Sequence, residues 1–211
     1  MVNQVPAASP EAGEAADRMS ARHGWLRFAA TGRALPVRLT DDVSSWQQSL
    51  LRQHRDWYGE AAAPQVSGAF VLQYLLQVPA HTASAAAGGG MRVRDLTGLT
   101  FAIDGNGVPR QVELGDLETL DGDLDERLAV AERDYLEVAG ERAGGYISTR
   151  PMSSRQRHGM VRDMWSEAAR AVRSAAGRFA VDEPRRVSCC LIYALPGCTE
   201  CSGCPRLSTR T

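Results

Sequence analysis

Residues 185–204 read RRVSCCLIYALPGCTECSGC, and this stretch holds all five cysteines of a 211-residue chain. A secreted disulfide scaffold spreads its cysteines so that bridges close long loops, because the stabilisation grows with loop length. Here the thiols crowd into one short segment and their number is odd, which favours metal ligation over cystines. Cys201 and Cys204 form a C-x2-C knuckle, where Gly203 permits the tight turn that lets two thiolates converge. Soft thiolates select zinc, copper(I) or iron–sulfur clusters. Structural zinc sites usually pair two such knuckles, whereas Cys189 and Cys190 are adjacent. Neighbouring side chains of an extended strand point to opposite faces. Both thiols therefore reach one site only if the backbone turns sharply or the site is large enough to be approached from two directions. A two-iron cluster, with two metal centres, relaxes that demand.

The spacing Cys189-Cys190, ten residues, Cys201, two residues, Cys204 resembles the C-C-x10-C-x2-C signature that closes the ferric-siderophore reductases of the FhuF type. Arg185-Arg186 before the pair, Leu191 and Tyr193 after it, and Pro196-Gly197 in the connecting loop fit the same tail. Fainter likenesses are the segment from Val66 to Pro79 and Met164-Trp165. The resemblance implies that Cys189, Cys190, Cys201 and Cys204 hold a 2Fe-2S cluster. It also implies a cytoplasmic one-electron reductase of a ferric siderophore of the hydroxamate type, supplied by an external donor such as a ferredoxin or flavin reductase. No catalytic side chain beyond the cluster is called for. Arg185, Arg186, Tyr193 and Trp165 are candidates for a substrate or partner surface, although Trp165 stands in an apolar helical stripe where core packing is the default.

Cys198 departs from the signature. With Cys201 and Cys204 it makes C-x2-C-x2-C followed by Pro205, an echo of the four-iron ferredoxin run, which however requires a further cysteine after three more residues. A 4Fe-4S cluster using Cys198 is the second reading, and a spectator thiol the first. Two other functions stay open: an electron carrier or accessory redox factor of a biosynthetic pathway, and a zinc-binding interaction module.

Composition bounds the remainder. Twenty-four basic residues against 25 acidic ones leave a formal charge of −1, without the basic footprint of a nucleic-acid binder. With 44% hydrophobic and 23% charged residues the chain is ordinary globular material, able to bury a core without disulfides. No window approaches the roughly 18 apolar residues of a membrane span, and the first residues lack the pattern of a secretory signal. These features point to a soluble cytoplasmic protein.

The pattern predicts an α+β fold: a mainly helical body with a small antiparallel hairpin or sheet and a cysteine-rich C-terminal tail. Residues 1–16, rich in Ala, Pro, Glu and Gly, read as disordered, 17–180 as the body and 181–211 as the cluster-binding segment. Helices are predicted from Ala15 to Ala30, with Trp25, Leu26 and Phe28 as core candidates, and from a cap at Asp41, Asp42 or Ser44 to Tyr58. Others are predicted from Val66 to Ala86 with Pro79 ending or bending it, from Asp123 to Val138 and from Ser153 to Phe179. Leu99–Ile103 and Val108–Leu114 flank Asp104-Gly105-Asn106-Gly107, a hairpin signal.

Some motifs carry no chemistry on inspection. Asp121, Asp123, Asp125 and Glu132 mimic a calcium loop, but Glu126 stands where the sharp turn needs glycine, so helix capping is the better account. His23, His54, His81 and His158 are scattered singly and read as surface or partly buried histidines. No phosphate loop, nucleophile elbow or dinucleotide fingerprint occurs, so electrons must come from another protein.

Overall fold

A computed structural model describes residues 10–178, 185–201 and 203–209. Five helices, α1 (Pro10–Arg22), α2 (Ser44–Tyr58), α3 (Pro64–Gly88), α4 (Leu124–Gly145) and α5 (Ser154–Ala175), dominate it. Six short strands complete the body: β1 (Arg27–Ala29), β2 (Val37–Arg38), β3 (Met91–Val93), β4 (Thr100–Ile103), β5 (Pro109–Glu113) and β6 (Leu117–Thr119).

Helix α3 is the axle. It is apolar on every face, with Val66, Leu72, Leu76, Val78 and Ala80 all at 0% exposure, and α2, α4 and α5 pack around it. A helix hydrophobic all round must be surrounded in this way. Pro79 neither ends nor breaks it, although proline removes the amide that would bond to the carbonyl of Leu75. The Thr82 hydroxyl donates to the Val78 carbonyl one turn back (2.7 Å), and burial of the flanking residues outweighs the lost bond.

One pairing breaks the antiparallel pattern predicted for the sheet. β4 and β5 form the expected antiparallel hairpin, closed by Asp104, whose carboxylate accepts from Asn106 N–H and Val108 N–H, and by Gly107 at φ 74°. β1 then adds in parallel on the far side of β5, with Phe28 opposite Val112, giving the order β1-β5-β4-β2. β3 and β6 form a separate antiparallel pair.

The N-terminal region also departs from expectation. Residues 10–16 are helical rather than disordered, because Ala15, Ala16 and Met19 bury one face of α1 against the core; residues 1–9 lie outside the described residues. The helix stops at Arg22, and the Nδ1 of His23 accepts the backbone N–H of Leu26 (3.0 Å), so the chain turns and Leu26 and Phe28 enter the core from an extended segment. Helix α4 starts at a capping box: Asp123 accepts from the amides of Asp125 and Glu126 while Glu126 reaches back, and this is what the acidic run does.

Trp165 is a correction to the candidate surface. It is 6% exposed and stacks on the fully buried Tyr135 at 5.5 Å, inside the main core between α4 and α5. The Tyr135 hydroxyl donates to the Val161 carbonyl (2.9 Å). Tyr135→Phe is expected to lower stability by about 1 kcal/mol, the net value of a buried neutral hydrogen bond, measured as a lower urea midpoint with an unchanged slope. No helix among the described residues is long and apolar enough to cross a membrane.

Candidate metal centre

The tail is pinned to the first half of α5. Ser153 caps that helix by accepting from Gln156 N–H, and the turn after the cap brings Gln156 and Asp163 to its tail-facing side. Asp163 is only 8% exposed and acts as the anchor: its carboxylate accepts from Val187 N–H (2.8 Å), Ser188 N–H (2.9 Å) and the Ser188 hydroxyl. The Arg186 guanidinium lies 3.6 Å away and also donates to the Gln73 side-chain oxygen on α3 (3.0 Å). Gln156 donates to the Cys189 carbonyl (2.8 Å). Gly159 lets Ser188 sit against the helix, since a Cβ there would stand 3.1 Å from the serine Cβ.

The adjacent cysteines are reconciled by a backbone turn. Leu191 sits in the left-handed region at φ 65°, the sole non-glycine residue there among those described. Its N–H points back to the Cys189 sulfur (3.4 Å), and a 3-10 turn over Ile192–Ala194 then leads away. Such a conformation is costly for a branched residue, and it reorients the chain right after the pair. On the other arm the Cys204 amide bonds to the Cys201 carbonyl (2.9 Å), closing the knuckle, while Arg186 N–H reaches the Gly203 carbonyl (3.3 Å).

The result is two sulfur pairs. Cys189 Sγ and Cys204 Sγ are 4.0 Å apart, and the Cys190 thiol lies close enough to Cys201 to disfavour its ionisation. All five cysteines are free. Among the described residues no three His, Cys, Asp or Glu side chains gather about one point. Burial pushes the Cys189 thiol up, and Cys201 is pushed up to about 11, first by burial and then by Cys190 beside it. Four thiols this close resist ionising together. A pair of ferric ions supplies the positive charge that makes four adjacent thiolates favourable, so this donor set fits a dinuclear iron centre. Cys198 lies elsewhere: it packs in a small apolar cluster with Ala62, Val66 and Leu195, against the Tyr58 hydroxyl.

Residues 186–206 match the family model described as the FhuF 2Fe-2S C-terminal domain. That segment is a 2Fe-2S domain of the FhuF type. No curated protein and no solved structure matches the chain. An iron–sulfur cofactor and a redox role follow from the FhuF-type domain.

At the start of that tail, Arg185 is exposed and Arg186 half-buried. With Arg162, Glu167, Arg170 and Cys201 they line a groove of about 350 Å³ at the edge of the cysteines. Tyr193 is engaged within the FhuF-type tail itself: the Arg206 guanidinium lies 4.1 Å over its ring and donates to its hydroxyl (3.1 Å). Asp163, Gln156 and Gln73 were not foreseen. A carboxylate followed two to three turns later by the end of a helix and a cysteine run is too common a pattern to single them out.

Proposed function

We propose that this chain is a ferric-siderophore reductase, transferring one electron to chelated Fe(III) so that Fe(II) is released, with Cys189, Cys190, Cys201 and Cys204 as the iron ligands. The reading is carried by the FhuF-type domain at residues 186–206, bordered at Cys201 by an arginine-lined groove. A bound 2Fe-2S cluster supplies one electron at a time, the number by which ferric and ferrous iron differ. The two sulfur pairs support one iron each, Cys189 with Cys204 and Cys190 with Cys201. Cys198 is a bystander held by Tyr58.

The chain's own residues do three things. Asp163 and Gln156 hold the tail in register on α5. Arg186, near the sulfurs, favours the more negative reduced state and so raises the potential. Arg185 is exposed in the groove, where it meets a chelate or the acidic face of a donor protein. Hard oxygen ligands hold ferric iron far more tightly than ferrous iron, so the transferred electron loosens the chelate, and no acid–base dyad is required. The substrate is a ferric siderophore of the hydroxamate type, the donor a ferredoxin or flavin reductase, and the site of action the cytoplasm. Residues 17–180 are the docking body and 181–211 the redox segment.

The test is anaerobic mixing of the reduced, cluster-loaded protein with ferric trihydroxamates. Reoxidation that saturates with chelate, differs between chelates and yields one trapped Fe(II) per electron is the expected result. Reoxidation that rises linearly and indifferently would make the chain an electron carrier.

A further inference from the structure

His23 and His81, 58 residues apart in sequence, meet edge to edge with His23 Nε2 2.9 Å from His81 Nδ1. Their protons are placed by the backbone. His23 Nδ1 accepts from the amides of Leu26 (3.0 Å) and Trp25 (3.4 Å), so its single proton is on Nε2 and is given to His81 Nδ1. The proton of His81 is then on its own Nε2. Burial holds both imidazoles neutral at pH 7, lowering His23 to about 4 and His81 to about 3. His81 is 3% exposed, and its Nε2–H has no hydrogen-bond partner. The Glu167 carboxylate is 3.9 Å from it, beyond hydrogen-bond range.

That donor lines a cavity of about 830 Å³ between α1, α3 and α5, within the size range of small-molecule sites. At the other end, about 13 Å away along the direction of α3 by its rise per residue, Arg127 of α4 lies beside Gly90, just past the end of α3. Its Nε is likewise buried without a partner, and Gly90 makes room for its guanidinium: a Cβ there would come within 2.9 Å of it. Unpaired buried donors are rare, and each left unsatisfied is costly. Both of these are donors, so the missing partner is a molecule bearing acceptors. Five arginines line the cavity against one carboxylate, Glu167; three of the five are engaged, Arg18 by Glu14, Arg178 by Asp125, and Arg170 as well. Trp25, Met19 and Ala168 provide apolar lining. Glu167 and Arg170 line both this cavity and the groove at Cys201, so the two spaces adjoin along α5.

We propose that this cavity seats the ferric chelate, and that it selects acceptor-rich chelates carrying a negative arm over those carrying a positive one. The inference rests on the reductase reading and adds the sign of the substrate. Iron(III) held by three hydroxamates is electrically neutral, so the charge of such a chelate is set by the rest of the molecule. A carboxylate arm meets Arg127, while carbonyl oxygens of the chelator accept from His81 Nε2–H.

Binding is separable from reduction by using gallium(III), which has the charge of ferric iron and accepts no electron here. Two gallium trihydroxamates with the same metal core, one ending in a carboxylate and the other in an ammonium group, are titrated calorimetrically into the cluster-loaded full chain. The carboxylate form is expected to bind at least about tenfold tighter, the value of one charge-assisted hydrogen bond. Arg127→Gln, at a half-buried position, is expected to bring the two within about threefold, and His81→Phe to weaken both alike, each variant retaining its far-UV circular dichroism. Equal wild-type affinities, or a preference that survives Arg127→Gln, would overturn the proposal. If the ferric chelates still reoxidise the protein in that event, the reductase reading stands and only the cavity assignment falls. Selective gallium binding without any iron reduction would leave the cavity assignment and remove the reductase.

Discussion

Asp163→Asn is expected to strip most of the iron and sulfide from the protein while leaving its helical content in place. The carboxylate accepts three hydrogen bonds from residues 187 and 188 and faces the Arg186 guanidinium at 3.6 Å, with its own side chain only 5% exposed. Asparagine offers one acceptor oxygen in place of two and turns an amide N–H toward groups that are themselves donors. It also leaves Arg186, whose side chain is 20% exposed, without its counter-charge. Removing one partner of a buried pair costs about 3 to 5 kcal/mol, enough to shift a docked tail to a largely undocked one. The body survives because α5 buries Met160, Met164, Ala168 and Ala169 against the core independently of the tail. Iron and acid-labile sulfide per chain after anaerobic purification, with hydrogen-exchange protection over residues 187–204, measure the effect. Gln156→Ala, which removes one bond to the Cys189 carbonyl, is the milder comparison. A full complement of sulfide in Asp163→Asn would show that the anchor is dispensable.

What could be foreseen about this molecule follows the range of the interactions concerned. The β4–β5 hairpin was legible because Asp104 and Gly107 encode its turn within four residues. The capping role of Asp123 was legible for the same reason. The parallel pairing of Phe28 with Val112 was not, since nothing local to either strand specifies a partner so distant. Helix α3 runs through Pro79 because tertiary burial overrides the local rule that proline ends a helix. Of the site, the cysteines announced themselves by spacing. Asp163 did not, because its role exists only once the chain folds back on α5 some 25 residues later. The four histidines were read singly, and the pairing of His23 with His81 depends on α1 and α3 being brought side by side.

Serine replacements of the four proposed ligands are expected to fall into two classes rather than four. Each should cut the visible absorption and iron content sharply, whereas Cys198→Ser should leave both unchanged, its thiol being held in the apolar cluster by Tyr58. The residual cluster in each ligand variant carries the finer information. Reduction of a 2Fe-2S centre places the electron on one of its two irons, and a hard serine oxygen stabilises the ferric state of the iron it binds. A serine on the iron that accepts the electron therefore lowers the potential, whereas a serine on the other iron leaves the electron where it was and shifts the potential less. Cys189 and Cys204 form one close pair and Cys190 and Cys201 the other. The serine variants should sort accordingly, with Cys189→Ser matching Cys204→Ser and Cys190→Ser matching Cys201→Ser, in both midpoint potential and the paramagnetic resonance of the reduced state. If the variants instead sort along the chain, with 189 beside 190 and 201 beside 204, the sulfurs bind iron as sequence neighbours and the two-by-two arrangement is wrong. Loss of the cluster in Cys198→Ser would displace one of the four from the ligand set altogether.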